Sequence, residues 1–390
     1  MSSKITIPVQ RPSIGREELA AVGKVFESGW LGMGSVVKEF EDAIANFLGV
    51  RHVVATNTGT TALHLALDSI GLKPGDEVIV PSLTYVATIQ AITATGAAPV
   101  FCDVEEDTLN LDLSDVEGKI TDKTKAIVPV HYRGMPCGMN GLLKLADESG
   151  LRVVEDAAHA FGSYYKGKRI GSFGDLACFS FDPVKNVTCG EGGAITTQNA
   201  EFVDILQRKR ILGIDKDTWS RYHDKRSWFY DVATQGYRYH MSNINAAIGL
   251  VQLKKYDKLN ARKIAIAKIY DKEFAGLEKF ELLRTDYDGL SLFIYIIKVR
   301  DGREKLMKFL EKHGIGTGIH YIPSHLFSFY SKKRVKLPVT EKVYEQILTL
   351  PLFPDMTNGQ VERVVSTIRE WGSLTGREKN ENQVIHKRSR

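Results

Sequence analysis

The chain has 390 residues, 43% hydrophobic and 25% charged, the balance of an ordinary globular protein. Its 52 Lys and Arg against 47 Asp and Glu leave a formal charge of +5, too small a surplus to argue for a nucleic-acid partner. No run approaches the ~18–20 apolar residues of a membrane span, and the opening MSSKITIPVQRPS lacks the apolar segment of a signal peptide.

A cytoplasmic protein is therefore expected. Cys102, Cys137, Cys178 and Cys189 are scattered without CxxC spacing, so free thiols are expected, with neither a disulfide framework nor a metal site. The length suggests one larger and one smaller domain.

From residue 50 to 200, short β-rich runs alternate with helical patterns. The runs are VIVP (78–81), PVFCDV (99–104), AIVPVHY (126–132), RVVEDAA (152–158), LACFSF (176–181) and GGAITT (192–197). Helical periodicity covers 60–71, 84–96 and 139–150. This alternation predicts an α/β fold whose mainly parallel sheet has helices on both faces. The near-continuous apolar strands agree, because such a sheet is covered on both sides.

From about residue 245, AAIGLVQLKKYDKLNARKIAIAKIYDKEFAGL predicts a long helix linking two domains. A strand at 290–299, a helix at 303–314, the piece HYIP (320–323) and a helix at 359–371 predict a smaller C-terminal α/β domain. The expected division is 1–245 for the large domain with an N-terminal arm and 246–371 for the linking helix and small domain. The apolar-poor segment 372–390 is expected to be a mobile tail.

Ligands of open α/β sheets bind at the carboxyl ends of strands, so the residues following each strand are the candidates. After VVAT (53–56), Thr58-Gly59-Thr60 opens a helix. Its threonines can cap that helix, or its free N–H groups and dipole can hold a phosphate, with Gly59 allowing close approach. Glu155 and Asp156 close a second strand, where a carboxylate needs a partner. The partner is either a core ion pair or cap, or a cationic ring nitrogen, and His159 follows three residues on. After the strand ending at Phe181, Lys185 precedes the Gly-rich GEGG (190–193). A lysine held in a cleft there can condense with a carbonyl cofactor, and Ser180 can serve the same phosphate as Thr60. The segment QGYRYHMSNINAAIGL (235–250) reads by itself as a loop followed by a helix.

Taken together these segments are more specific. The stretches WLGMGSVVKEFE (30–41), NTGTTALHLAL (57–67), PGDEVIVPSLTYVAT (74–88), PVHYRGMP (129–136) and VVEDAAHAFG (153–162) occur in order. They are followed by GSFGDLACFSFDPVKN (171–186), GEGGAITT (190–197), GYRYHMSNINAAIG (236–249) and HYIPSH (320–325). In this order they resemble the DegT/DnrJ/EryC1/StrS family of nucleotide-sugar aminotransferases, from about Pro8 to Trp371. The resemblance implies a fold-type I enzyme dependent on pyridoxal 5'-phosphate, as in aspartate aminotransferase.

By that resemblance Lys185 corresponds to the lysine that holds the cofactor and, once freed, moves protons. Asp156 corresponds to the acid on the pyridine nitrogen, Tyr85 to the aromatic on the ring, and His159 to a residue beside the ring. Thr58, Gly59, Thr60 and Ser180 correspond to the phosphate cup. Some family members carry His at the lysine position and act as dehydratases; Lys185 favours transamination. Arg238 stands where many members have Asn, in a segment that reaches the phosphate of the partner subunit, with His240 as the alternative. A homodimer with shared active sites follows.

The resemblance further implies L-glutamate as amino donor and a nucleoside-diphosphate-linked 3-keto or 4-keto sugar as acceptor. The product would be an amino sugar for glycan, lipopolysaccharide O-antigen or secondary-metabolite synthesis. Trp30, Tyr132 and His320 are the candidate sugar-nucleotide contacts; Arg221, Lys225, Arg226 and Arg238 are basic candidates for the donor carboxylate or the acceptor diphosphate, or else solvated surface charges. The alternatives are a PLP enzyme of this fold acting on amino acids, or a PLP-binding regulatory protein without catalysis.

Overall fold

A computed structural model describes residues 5–214, 230–331 and 335–388, with side chains through residue 373. Arg221, Lys225 and Arg226 lie outside the described residues.

The N-terminal arm leads into α1 (Arg16–Ser28) and α2 (Ser35–Leu48). Strands and helices then alternate: β1 (His52–Thr56), α3 (Gly59–Ser69), β2 (Glu77–Pro81), α4 (Val86–Ala94), β3 (Ala98–Cys102), α5 (Leu113–Glu117), β4 (Thr124–Ile127), α6 (Met139–Glu148) and β5 (Arg152–Asp156). A short hairpin of β6 (Tyr164–Tyr165) and β7 (Lys168–Arg169) precedes β8 (Leu176–Ser180), β9 (Gly193–Thr197) and α7 (Ala200–Arg210). Seven strands form one sheet in the order β1-β9-β8-β5-β4-β2-β3. β9 runs antiparallel to both neighbours and the other pairings are parallel.

Apolar clusters cover the sheet on both faces. One joins α3 and α4 to Val54, Val78, Val154 and Ile195. Others join α2 and α6 to residues facing the opposite way, such as Ala55, Ile79 and Val153. This is the expected doubly covered sheet. β4 stops at Ile127, short of the expected 126–132, because Pro129 has no N–H for the ladder. Val130 keeps a single parallel bridge to Asp156.

The long helix α8 spans Asn243–Phe274 and begins where the Ser242 hydroxyl accepts from the Asn245 N–H at 3.2 Å. β10 (Phe280–Leu282), β11 (Tyr295–Val299) and β12 (Ile347–Leu350) form a three-stranded antiparallel sheet. It shares a core with the C-terminal half of α8, α9 (Arg303–Lys312) and α11 (Asn358–Arg388); α10 (Pro338–Gln346) lies between. Ile7 of the N-terminal arm is buried in this same core and its N–H donates to Gly314 O.

The strand expected at 290–299 begins only at Tyr295. Leu290–Ile294 instead runs against the loops that follow β4 and β5, with Phe293 N–H donating to Arg133 O at 3.0 Å and Ser291 N–H to Ser163 Oγ at 2.9 Å. At the C-terminus, α11 continues past Trp371 to Arg388, so no helix end marks the expected boundary at 372. The four cysteines are buried and unbridged. Among the described residues no helix is long and apolar enough to cross a membrane.

Candidate active site

The carboxyl ends of β1, β5 and β8 open into a cavity of ≈ 410 Å³. Nine of the candidate residues line it: Thr58, Gly59, Thr60, Tyr85, Asp156, His159, Ser180, Lys185 and His320.

On one side, α3 points its N-terminus into the cavity. Thr58 is the N-cap, its hydroxyl accepting from the Thr61 N–H at 3.1 Å. Thr58 therefore caps the helix while also lining the cavity, and Thr60 is exposed on the cavity wall. Gly59 packs against Ser180 so closely that a Cβ there would lie 2.6 Å from the Ser180 Cβ. The free N–H groups and dipole of α3 thus meet the end of β8, an arrangement suited to a phosphate.

In the middle, Asp156 ends β5 and is buried. Its Oδ2 accepts from Thr88 Oγ1 at 2.6 Å and its Oδ1 from the Ala158 N–H at 3.1 Å. Burial raises its pKa, against the pull of Thr88, Ala158 and Lys185. Glu155, one residue earlier, faces the other side of the sheet. It is paired there with His131 Nε2 at 2.9 Å and with the Gly174 N–H at 2.7 Å. Strand alternation therefore assigns the two carboxylates to different tasks.

Lys185 sits on the loop between β8 and β9, its Nζ 4.2 Å from the centre of the Phe293 ring. Burial lowers its pKa from 10.5 to about 8, while Asp182 and Asp156 oppose the shift. His159 stacks on Phe293 at 4.2 Å and 22°, and its Nε2 lies 3.0 Å from the Tyr321 hydroxyl. Burial first, then Lys185 and His320, hold it well below the usual histidine pKa, so the imidazole is neutral. His320 Nδ1 meets Thr349 Oγ1 at 2.9 Å, and burial lowers its pKa to about 4. Tyr85 is 56% exposed, unusual for a large ring, and leans toward Tyr321 across the cavity mouth.

Three candidates lie elsewhere. Tyr132 is fully buried, packed with Leu83, Val104 and Ile294, and does not line the cavity. Trp30 and Arg238 share a second cavity of ≈ 180 Å³ with His240, Ile211 and Ile214. Trp30 Nε1 donates to Met33 O at 2.8 Å, and Arg238 is exposed. Conversely, Thr88, Phe293 and Gln10 line the main cavity without having been expected there. Thr88 had a signal, lying one helical turn after Tyr85. Phe293 and Gln10 had none, since each arrives from a distant part of the chain.

The residues present fit pyridoxal phosphate. The cradle at Gly59 and Ser180 accepts a phosphate, the buried Asp156 carboxylate a ring cation, and Lys185 a carbonyl. Among the described residues His159 Nδ1 is buried without a partner, which leaves a polar atom for a ligand.

Residues 12–369 match the model of the DegT/DnrJ/EryC1/StrS aminotransferase family. The chain is 40% identical over 374 residues to the uncharacterized protein MJ1066 of Methanocaldococcus jannaschii, covering 93% of this chain and 97% of that protein. It is 39% identical over 375 residues to the spore coat polysaccharide biosynthesis protein SpsC of Bacillus subtilis, covering 93% and 96%. Among solved structures, the putative sugar aminotransferase Spr1654 of Streptococcus pneumoniae in its PMP form superposes with a TM-score of 0.89 at 32% identity, covering 95% of this chain and all of that one. The PLP form of the same protein superposes with a TM-score of 0.87. The chain belongs to the DegT/DnrJ/EryC1/StrS family of sugar aminotransferases and is a pyridoxal-phosphate-dependent enzyme.

Proposed function

We propose that this enzyme transfers the amino group of L-glutamate to the ketone of a nucleoside-diphosphate-linked 3-keto or 4-keto sugar. One observation carries the reading: Lys185, Asp156 and the N-terminus of α3 face a single cavity. When bound there, the cofactor supplies an electron sink for a carbanion next to the transferred nitrogen.

The chain's own residues do the rest. Gly59, Thr60 and Ser180 bind the phosphate at the α3 dipole. Asp156, oriented by Thr88, keeps a ring nitrogen protonated. Tyr85 covers the ring face. Lys185, with a pKa of about 8, can hold or release a proton near neutral pH and so serve as both base and acid. Neutral His159 offers a hydrogen bond beside the ring without adding charge.

His320 and Tyr321 flank the mouth of the cavity and contact the acceptor. Trp30 and Arg238 act through a homodimer, in which Arg238 of one copy reaches the phosphate bound by the other. Arg238 is exposed, as that role requires. The product is an amino sugar for glycan, O-antigen or secondary-metabolite synthesis, made in the cytoplasm; the similarity to SpsC, a spore coat polysaccharide biosynthesis protein, supports the glycan use.

The test is the purified enzyme with glutamate and a panel of UDP-, dTDP- and GDP-linked keto-sugars, with product stereochemistry read by NMR. Conversion of at least one sugar is expected. Turnover of 2-oxo acids alone would turn the reading to amino-acid metabolism. Stoichiometric cofactor binding with no glutamate half-reaction would leave a regulatory PLP protein.

A further inference from the structure

Behind Lys185 lies a narrow cavity of ≈ 20 Å³ whose walls include Lys185, Asn186, Phe293 and Lys263. Lys263 belongs to α8 and is 5% exposed. Burial alone lowers its pKa to about 7, and among the described residues no carboxylate pairs with it. A lysine amine kept in such a place without a counter-charge is costly to bury, so its contacts bear on its purpose. The contact it makes is a hydrogen bond from Nζ to Asn186 Oδ1. Charged or neutral, the amine keeps an N–H for that oxygen.

Asn186 directly follows Lys185. Its Nδ2 donates to Ser291 Oγ at 2.6 Å and to Ser291 O at 3.2 Å. Ser291 is itself fixed: its N–H donates to Ser163 Oγ at 2.9 Å, and that hydroxyl donates to Gly134 O at 2.8 Å. Gly134 must be glycine for this approach, with φ +101° and a would-be Cβ 2.1 Å from Ser291 O. Two residues after Ser291 stands Phe293, whose ring covers Lys185 Nζ and stacks on His159. On its other side, Lys185 is held by its own N–H to Asp182 O at 3.1 Å. Among the described residues its side-chain amine makes no hydrogen bond. The lysine's placement therefore depends on its neighbour's carboxamide.

We propose that Lys263 is a positioning residue for transamination: it fixes Asn186, and through Asn186 both the backbone of Lys185 and the Ser291–Phe293 segment over the Lys185 amine. This rests on the reading that Lys185 is the cofactor-bearing lysine. The test compares holoenzymes of wild type, Lys263→Met, Asn186→Leu and the double variant.

Lys263→Met should keep one borohydride-reducible PLP per chain but change the visible circular dichroism of the bound cofactor. The kcat of the glutamate half-reaction should fall about 10–100-fold, the scale of a misplaced reacting group, with KM moving less. Asn186→Leu should do the same, and the double variant should be no worse than either single, as expected for one coupled unit. Wild-type dichroism and kcat per bound cofactor in Lys263→Met, even with a lowered melting temperature, would overturn the proposal. So would fully additive losses. If Lys263→Met does not fold, Asn186→Leu decides alone by the same two readouts. A wild-type enzyme whose reducible link lies on another lysine would instead sink the reading of Lys185.

Discussion

At the ends of β1, β5 and β8, Gly59, Asp156 and Ser180 are fixed by the sheet and its attached helix, and each is braced within one chain. Around Trp30 and Arg238 the wall is made of loops and single β-bridges, and its charged member is exposed. A sheet end positions groups to within the tolerance of its hydrogen bonds, so chemistry that needs exact placement belongs there. A wall of loops with an exposed arginine suits a surface that a second molecule completes. The contrast teaches that the groups around Gly59, Asp156 and Ser180 are braced within one chain, whereas the role proposed for Arg238 needs a second copy.

The largest effect should come from removing the reacting amine. Lys185→Ala should eliminate the borohydride-reducible link and lower turnover by about 10⁴-fold or more, because both proton transfer and the covalent anchor go with it. Mass spectrometry of the reduced protein checks this; a surviving link would move the anchor to another lysine.

Asp156→Asn comes next. It keeps the shape and the Thr88 contact but removes the charge, so turnover should fall by about 10²-fold or more through lost electrostatic preorganisation. Stability should move the other way. The folded pKa of Asp156 is raised above 3.8, so its stabilising contribution is full below that pH and is lost as pH rises through the folded value. The cofactor-free Asn variant should therefore gain stability over wild type as pH is raised from about 3.8 toward neutrality, as denaturant titrations at several pH values would show. A constant difference across that range would mean that the carboxylate is not strained by burial.

Arg238→Ala addresses the other cavity. A charge-assisted contact to phosphate is worth about 1.5–3 kcal/mol, so cofactor affinity should fall about 10- to 100-fold while the monomer's stability stays unchanged. A mixed dimer of Lys185→Ala and Arg238→Ala subunits should regain up to one intact site of two. A confirmed mixed dimer with no recovery would assign the Trp30 cavity a role within its own subunit.

The two regions also differed in how far they could be read from sequence. Strand ends are local: an apolar run followed by Asp156, or by Ser180 and a lysine loop, carries its position in the pattern. The doubly covered sheet and the long helix were legible for the same reason. Phe293 was not, because LSLFIYIIKV reads as one strand and nothing in its alternation shows that Leu290–Ile294 leaves the sheet to meet Arg133, Ser163 and Asn186. Gln10 reaches the cavity because the arm is anchored by Ile7 in the core around the three-stranded sheet, more than 250 residues along the chain from its partners there. Lys263 is one of several lysines on α8. Its burial is a product of packing that no single-sequence pattern carries.

Tyr132 gives the smallest expected effect and the sharpest correction. Its motif, PVHYRGMP, makes Tyr132 a candidate sugar-nucleotide contact, yet Tyr132 opens the short turn Tyr132–Gly134 and its ring packs into a core with Leu83, Val104 and Ile294. Its hydroxyl is buried without a partner among the described residues, and burial holds its pKa far above the phenol range. An unsatisfied buried hydroxyl destabilises by about 1–3 kcal/mol, so Tyr132→Phe should leave the protein as stable as wild type or more so. Because the ring lies behind His159, with centroids 6.2 Å apart, its shape supports the site but its oxygen does not. Tyr132→Phe should therefore leave kcat and both KM values within about twofold, a change of under ~0.5 kcal/mol. A clear rise in KM for the sugar nucleotide alone would show that the hydroxyl turns into the cavity when the acceptor binds.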